Sequence, residues 1–196
     1  MIAIIDYDTG NLRSVCNALE RIGAKYCVTD DVAVIRSADK VLLPGVGEAS
    51  SAMSKLKERG LCNVIKELTQ PVLGICIGMQ LMCMHSEEGD VDCLGIFPTG
   101  VRRFIADREH GVKVPHMGWN RINNLKSPLF KDIDEGAFVY FVHSFAPDVC
   151  DEAISLSCNG RQFASALAKG NFYGTQFHPE KSGDVGEQIL KNFIEL

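Results

Sequence analysis

The sequence predicts an α/β fold, with a mixed, largely parallel sheet and helices on both faces. Three observations carry this expectation. Apolar strand-like runs alternate with helix-spaced runs over the first 85 residues, the pattern that builds parallel strands. From residue 137 onward, β-rich runs follow one another with turn signals between them. No internal repeat or low-complexity linker divides the 196 residues, 46% of them hydrophobic, so residues 1–196 read as one domain with a sizeable core.

The elements follow in order. IAII at 2–5 is a buried strand. Leu12, Val15, Leu19 and Ile22 recur at helical spacing, with Asn11 as candidate N-cap and Gly23 just past the end. KYCV at 25–28 and KVLL at 40–43 are short strands, the second stopped by Pro44-Gly45. Ala49, Met53 and Leu56 mark a helix that Gly60 can terminate. PVLGI at 71–75 is a strand and 77–85 a helix. In the second half, AFVYFV (137–142), AISLSC (153–158), QFASALA (162–168) and FYGTQF (172–177) are β-rich. Asn159-Gly160 is a strong hairpin signal and Lys169-Gly170-Asn171 a weaker one. Val185, Ile189 and Phe193 predict a closing helix.

Composition excludes several classes. A net charge of -5 without a dense Lys/Arg cluster gives no footprint for nucleic acid. No apolar stretch approaches the roughly 20 residues of a membrane span, and the start MIAIIDYDTGN lacks a basic leader. The eight cysteines include no C-x-x-C pair, and Cys16, Cys27, Cys62, Cys83 and Cys93 sit among apolar or helical residues. Reduced thiols in a cytoplasmic protein, with neither disulfides nor a zinc site, are the expectation.

PVLGICIGMQ at 71–80 is the informative stretch. A strand, a glycine-flanked turn and a helix make the layout of a nucleophile elbow, here Gly74-Ile75-Cys76-Ile77-Gly78. The turn would lift Cys76 above the strand ends, where open α/β sheets bind ligands. A helix start beneath the sulfur would favour thiolate, and the Ile77 amide would be an oxyanion donor. On this stretch alone, a buried structural cysteine with glycines for packing explains the pattern equally well.

A cysteine nucleophile needs a base, and the base an orienting group. Of the five histidines, His85 lies on the predicted helix after the elbow and cannot easily reach back; His110 and His116 fall in a loop-like region, and His143 ends a strand. His178 follows a strand in GTQFHPEKSG, and Pro179 biases it toward extended backbone. Residues two apart in an extended segment project the same way, so His178 and Glu180 can face one site together. His-Pro-Glu alone also fits a surface turn; the elbow makes the catalytic reading the stronger one.

GICIGMQ with GTQFHPEKSG resembles the class I, triad-type glutamine amidotransferases. DYDTGNLRSV, LPGVGEAS, GIFPTGVRRF, KVPHMGWN and YFVHSFAP extend the likeness along nearly the whole chain. They look like the members that feed ammonia to a (β/α)₈-barrel cyclase, which makes imidazole glycerol phosphate and aminoimidazole carboxamide ribotide in histidine biosynthesis. The resemblance implies a class I glutamine amidotransferase-like fold and a Cys76-His178-Glu180 triad that releases ammonia from glutamine through a γ-glutamyl thioester. It implies oxyanion donors at Ile77 and in the peptide around Val46, and substrate contacts at Gly45, Gly47, Gln80, Ser144 and Phe145. It implies no cofactor or metal, and a heterodimer with the cyclase that docks at Asn11, Trp119 and Lys181. Read without the family, Pro44-Gly45-Val46-Gly47 is a loop after a strand and no phosphate loop, and Trp119, the only tryptophan, suits a core as well as an interface. Two departures stand out: Asp8 where the family usually has glycine, and Phe145 where tyrosine is common. Two other readings remain open at this level, a paralogous glutaminase serving a different synthase and an inactive docking subunit.

Overall fold

The computed structural model describes residues 1–8, 12–45 and 47–196. Asn11 and Val46 lie outside the described residues. In chain order the elements are β1 (Ile2–Ile5), α1 (Leu12–Arg21), β2 (Tyr26–Thr29), α2 (Val32–Ser37), β3 (Lys40–Leu43), α3 (Ala49–Glu58), α4 (Leu61–Lys66), β4 (Val72–Ile75) and α5 (Ile77–Leu81). There follow β5 (His85–Ser86), β6 (Val91–Asp92), β7 (Gly100–Arg103), β8 (His116–Arg121), β9 (Phe138–His143) and β10 (Phe145–Pro147). The chain closes with β11 (Ala153–Asn159), β12 (Arg161–Lys169), β13 (Phe172–Thr175) and α6 (Gly183–Glu195), with short 3₁₀ turns at Pro128–Phe130 and Pro179–Lys181.

Seven strands form the main sheet in the order β11-β12-β13-β4-β3-β1-β2. From β13 to β2 every pairing is parallel; β12 and β11 add an antiparallel edge. The period of two divides the strand residues between two cores. Ala3, Ile5, Val41 and Leu43 pack with Ile35, Met53, Leu56, Ile65 and Met79 of α2 to α5. Ile2, Ile4 and Leu42 pack on the opposite face with Val15, Leu19, Ile189, Leu190 and Phe193 of α1 and α6. Being buried on both faces is why these strands read as continuous apolar runs. The mixed, largely parallel sheet with helices on both faces matches the expectation.

The topology also places the site. The C-terminal ends of β1, β3, β4 and β13 deliver four segments to the same end of the sheet: Asp6 to Asp8, Pro44 and Gly45, Cys76, and Gln176 to His178. Two smaller sheets stand beside them: β10-β7-β5-β6, and the antiparallel pair β8-β9.

Three expectations are corrected. The helix predicted over 77–85 ends at Leu81, because the Leu94, Ile96, Phe97 and Gly95 amides, at 2.8 Å, take the carbonyls of Leu81, Met82 and Cys83 that a longer helix would need. His85 is therefore on β5, between Asp90 and Asp92, rather than on a helix. His116 is on a strand rather than in a loop, paired opposite His143. Of the family departures, Asp8 keeps a glycine-like backbone at φ 60, with its carboxylate 2.5 Å from Arg59.

Candidate active site

Cys76 sits where β4 meets α5, at φ 54 and ψ −108, a conformation unfavourable to any residue with a Cβ. Its amide donates to Thr175 O at 2.7 Å, and its carbonyl accepts from Met79 and Gln80, which locks the turn from both sides. The flanking glycines are obligatory for space. A Cβ on Gly78 would lie 1.8 Å from Leu43 O, and one on Gly74 2.6 Å from the Gly78 carbonyl carbon. The elbow reading of the sequence is therefore what the backbone does. α5 has only five residues, so the amides nearest the sulfur, rather than a long helix dipole, supply the local positive potential.

His178 leaves β13 in extended backbone, and Pro179–Lys181 then turns as a 3₁₀ helix. The sequence places both side chains on one side of an extended segment. They do meet, but through this turn: His178 Nδ1 lies 2.7 Å from Glu180 Oε1, with both side chains almost completely buried. Ser182 locks the turn, donating to His178 O at 2.6 Å and accepting from the Tyr140 amide at 2.9 Å.

His178 Nε2 is buried without a hydrogen-bond partner among the described residues, and it shares a cavity with Cys76. Burial alone would lower the ring's pKa. The charge of the Cys76 sulfur and the bond and charge of Glu180 outweigh it and raise the pKa to about 10. No hydrogen bond of standard geometry closes between ring and sulfur among the described residues; charge is the larger part of their coupling, with a weaker hydrogen-bonding contribution beside it. The sulfur itself receives Gln176 Nε2 at 3.6 Å and lies 4.0 Å from Val142 O.

The cavity holds about 350 Å³ and is lined by Gly47, Cys76, Ile77, Gln80, Ser144, Phe145, His178 and Lys181 among the residues the sequence pointed to. Glu180 stands behind His178 rather than on the wall. Gly45 lines a much smaller recess beside His178 and Glu180. Gln80 Nε2 donates to Phe145 O and to Gln176 Oε1, each at 2.9 Å, leaving Gln80 Oε1 a buried acceptor without a partner among the described residues.

Sequence reasoning missed Glu88, Gln176 and His143. Glu88 is a carboxylate on the cavity wall; burial raises its pKa, against the Ala49 amide that it accepts at 3.0 Å. In the acidic run SEEGD nothing marks it out from a solvated turn. Gln176 and His143 lie inside motifs already noticed, but which atoms they touch depends on tertiary contacts.

Trp119 is not in the core. It is 56% exposed on β8, meeting Tyr140 edge-on at 6.0 Å, and Lys181 Nζ lies 6.0 Å from the same Tyr140 ring. Met117 and Phe138 are exposed on the same strand pair, with Arg121 over the Phe138 ring at 5.0 Å. Apolar residues gathered like this on a surface mark an interaction face. Among the described residues no group of His, Cys, Asp or Glu is placed to hold a metal ion, and no helix is long and apolar enough to cross a membrane.

Comparison with known proteins places the chain in a family. The family Glutamine amidotransferase class-I is matched over residues 3–196. The imidazole glycerol phosphate synthase subunit HisH of Bacteroides fragilis (strain ATCC 25285) is 58% identical over 195 residues, covering 100% of this chain and 99% of the relative. The subunit of the same name from Pectobacterium atrosepticum is 49% identical over 197 residues, with the same coverage. The solved structure of PurLQS from Thermotoga maritima superposes with a TM-score of 0.71 at 17% identity, covering 99% of this chain and 97% of that one, a likeness of fold.

Proposed function

The chain belongs to the class-I glutamine amidotransferases and acts as a glutaminase subunit of imidazole glycerol phosphate synthase in histidine biosynthesis, and from that premise we propose how its cavity works. The Cys76 thiolate attacks the side-chain amide carbon of glutamine. The oxyanion that forms is held by the Ile77 amide and the peptide around Val46, which lies outside the described residues. His178 gives its proton to the departing nitrogen, ammonia leaves, and a γ-glutamyl thioester remains on the sulfur. A water molecule, its proton taken by His178, then releases glutamate and restores the thiol pair. Glu180 keeps the imidazole pointed at the sulfur.

The rest of the wall holds the amino-acid end of the substrate. Glu88 is the carboxylate available to an α-ammonium group, and Gln80, whose Oε1 is an unused acceptor among the described residues, lines the same cavity. Gly47 and the Ser144–Phe145 backbone shape the remainder, with Gly45 in the smaller recess beside His178. Phe145 in place of tyrosine leaves that contact to the backbone alone.

The partner is a (β/α)₈-barrel cyclase that receives the ammonia, and the docking face contains Trp119 and Lys181, with Asn11 assigned to it from the resemblance alone. The exposed Trp119 and Lys181, both beside the half-buried Tyr140 ring, support this. One observation carries the whole reading: a buried 2.7 Å His178–Glu180 pair opening onto a cysteine held in a strained elbow. The test is Cys76→Ala in the complex. Glutamine-dependent synthesis should fall by more than about a hundredfold, while ammonium salt should still support the cyclase. Residual glutaminase above about a hundredth of wild type would remove Cys76 from the role of nucleophile.

A further inference from the structure

Beside the cavity lies a polar core that hydrolysis itself does not use. His116 on β8 and His143 on β9 are buried and directly opposite each other in register. His116 Nδ1 lies 2.9 Å from His143 Nε2. Three phenylalanines enclose the pair: His116 stacks on Phe141 at 4.9 Å, and Phe104 and Phe163 each stand 5.3 Å from His143.

The proton positions follow from the two ends of this chain. At one end, His143 Nδ1 is 2.7 Å from Phe145 O, which only accepts, so Nδ1 carries the proton. A neutral His143 then offers Nε2 as an acceptor, and His116 Nδ1–H donates to it. His116 Nε2 accepts in turn from Asn120 Nδ2 at 3.1 Å. The other end is fixed independently. Asn120 Nδ2 also donates to Cys158 O at 2.9 Å, and Asn120 Oδ1 accepts from the Arg121 amide at 2.8 Å, so the side-chain amide cannot be reversed. Both ends require two neutral rings, each with its proton on Nδ1. A charge on either would set two N–H groups against each other in an aromatic cage. Burial accordingly pushes His116 down to about 4 and His143 to about 3, and the charges of His178 and Arg161 act on His143 in the same direction.

The network continues toward the chemistry. Phe145 O accepts a second bond from Gln80 Nε2, Gln80 Nε2 also bonds Gln176 Oε1, and Gln176 Nε2 reaches the Cys76 sulfur. Its polarity reverses at Phe145 O, which receives donors from both sides. It therefore cannot pass a proton along; what it can do is hold groups in place. We infer that Asn120, His116 and His143 form a tautomer-locked positioning chain that fixes the Phe145 carbonyl, and through it Gln80 and the Ser144–Phe145 backbone, in the geometry that binds glutamine. This deepens the reading of the cavity as the glutamine site and rests on it.

Two measurements test it. The first is imidazole NMR of the full chain labelled with ¹⁵N-histidine. Two rings should be neutral Nδ1–H tautomers at neutral pH and remain so down to about pH 5, well below the ordinary histidine range. An Nε2–H tautomer or an imidazolium at either residue at about pH 6 overturns the chain, whatever the substrate and without any variant. The second is glutaminase kinetics of the complex with the cyclase. His116→Phe keeps the stack on Phe141 but removes the N–H, leaving His143 Nε2 unsatisfied. KM for glutamine should rise about tenfold, with a smaller fall in kcat. His116→Asn, which returns an N–H near the Nδ1 position, should recover most of that loss. A folded His116→Phe variant with KM within about twofold of wild type overturns the inference, as does a His116→Asn variant no better than His116→Phe. A wild-type complex that releases no glutamate defeats the glutamine reading and this inference together, an outcome the substrate-free tautomer experiment tells apart from failure of the chain alone.

Discussion

In the proposed function Cys76 carries the chemistry and Trp119 the docking, and the molecule treats the two in opposite ways. Cys76 is 5% exposed, its backbone is strained, and its glycine neighbours have no room for a methyl group. Trp119 is 56% exposed, its ring meeting Tyr140 edge-on. The chemistry is built into close contacts that the chain satisfies by itself. Recognition is left as an open aromatic surface that a second protein can complete. The contrast teaches where substitutions should be lethal to the fold and where they should be harmless until a partner is added.

The largest expected effect is on the buried side. In Gly78→Ala the new Cβ would fall 1.8 Å from a backbone oxygen, which no side-chain adjustment relieves. The substitution should cost about 4 kcal/mol or more, or prevent folding outright. Urea unfolding of the isolated chain measures this. A loss below about 1 kcal/mol would mean that the elbow is far more yielding than its contacts say.

The next effect lies between the two regions, at the oxyanion site. The Ile77 amide belongs to the rigid elbow. In the proposed mechanism the second donor lies in the peptide around Val46, next to Gly47, which at φ 103 uses backbone freedom that few other residues have. A peptide there that points away withholds one oxyanion bond, about 2.7–4 kcal/mol in the transition state. The isolated chain should therefore hydrolyse glutamine at least about a hundredfold more slowly than the complex with ligand on the cyclase. Glutamate release is measured with the chain alone, with partner, and with partner plus ligand. Equal rates in all three would mean that the site is complete without its partner.

These regions also differ in how far the sequence discloses them. The elbow is legible because a strand, two glycines and a cysteine lie within a few residues, and the glycines answer local sterics. His178 and Glu180 are legible for the same reason, although the turn joining them is 3₁₀ rather than extended. The helix after Cys76 is overestimated because its end is decided from outside, by amides of residues 94–97 taking its carbonyls. Helices α2 and α4, of six residues each, are too short for a periodic signal, although Asp31 caps α2 by accepting from the Ala33 and Val34 amides. Glu88 and the His116–His143 pair are invisible because their partners lie tens of residues away. Trp119 is undecidable from composition, since a lone tryptophan suits a core or a surface equally; only burial separates the two.

On the exposed side, Trp119→Ala should leave the fold intact and weaken docking. A central aromatic anchor is worth about 2 kcal/mol or more, so the dissociation constant for the cyclase should rise about thirtyfold or more, while the isolated chain's melting curve stays within about 0.5 kcal/mol of wild type. Lys181→Ala, which loses a charge over the Tyr140 ring, should weaken docking by less. Titration calorimetry with the cyclase decides. Unchanged affinity in Trp119→Ala would move the docking face elsewhere.

The smallest effect is a titration that isolates the charge coupling inside the site. His178 is held near a pKa of about 10 although burial works against its charge, because the Cys76 sulfur and Glu180 favour the imidazolium. A raised pKa extends the protonated form to higher pH. The proton needed by the departing ammonia is therefore present throughout the neutral range and is lost only as pH rises through about 10. Glutaminase activity of the complex should accordingly hold through neutral and mildly alkaline pH and decline only as pH approaches about 10. Cys76→Ala removes the largest of the favourable influences and leaves burial and Glu180 in opposition, so the His178 titration should move down by about one pH unit or more. Glu180→Gln should also move it down, because one hydrogen bond and one charge are lost together. Histidine NMR titrations of the three chains follow the ring without reference to turnover. An unchanged His178 midpoint in Cys76→Ala would show that sulfur and ring are not coupled by charge, and that the proton delivered to ammonia is set by Glu180 alone.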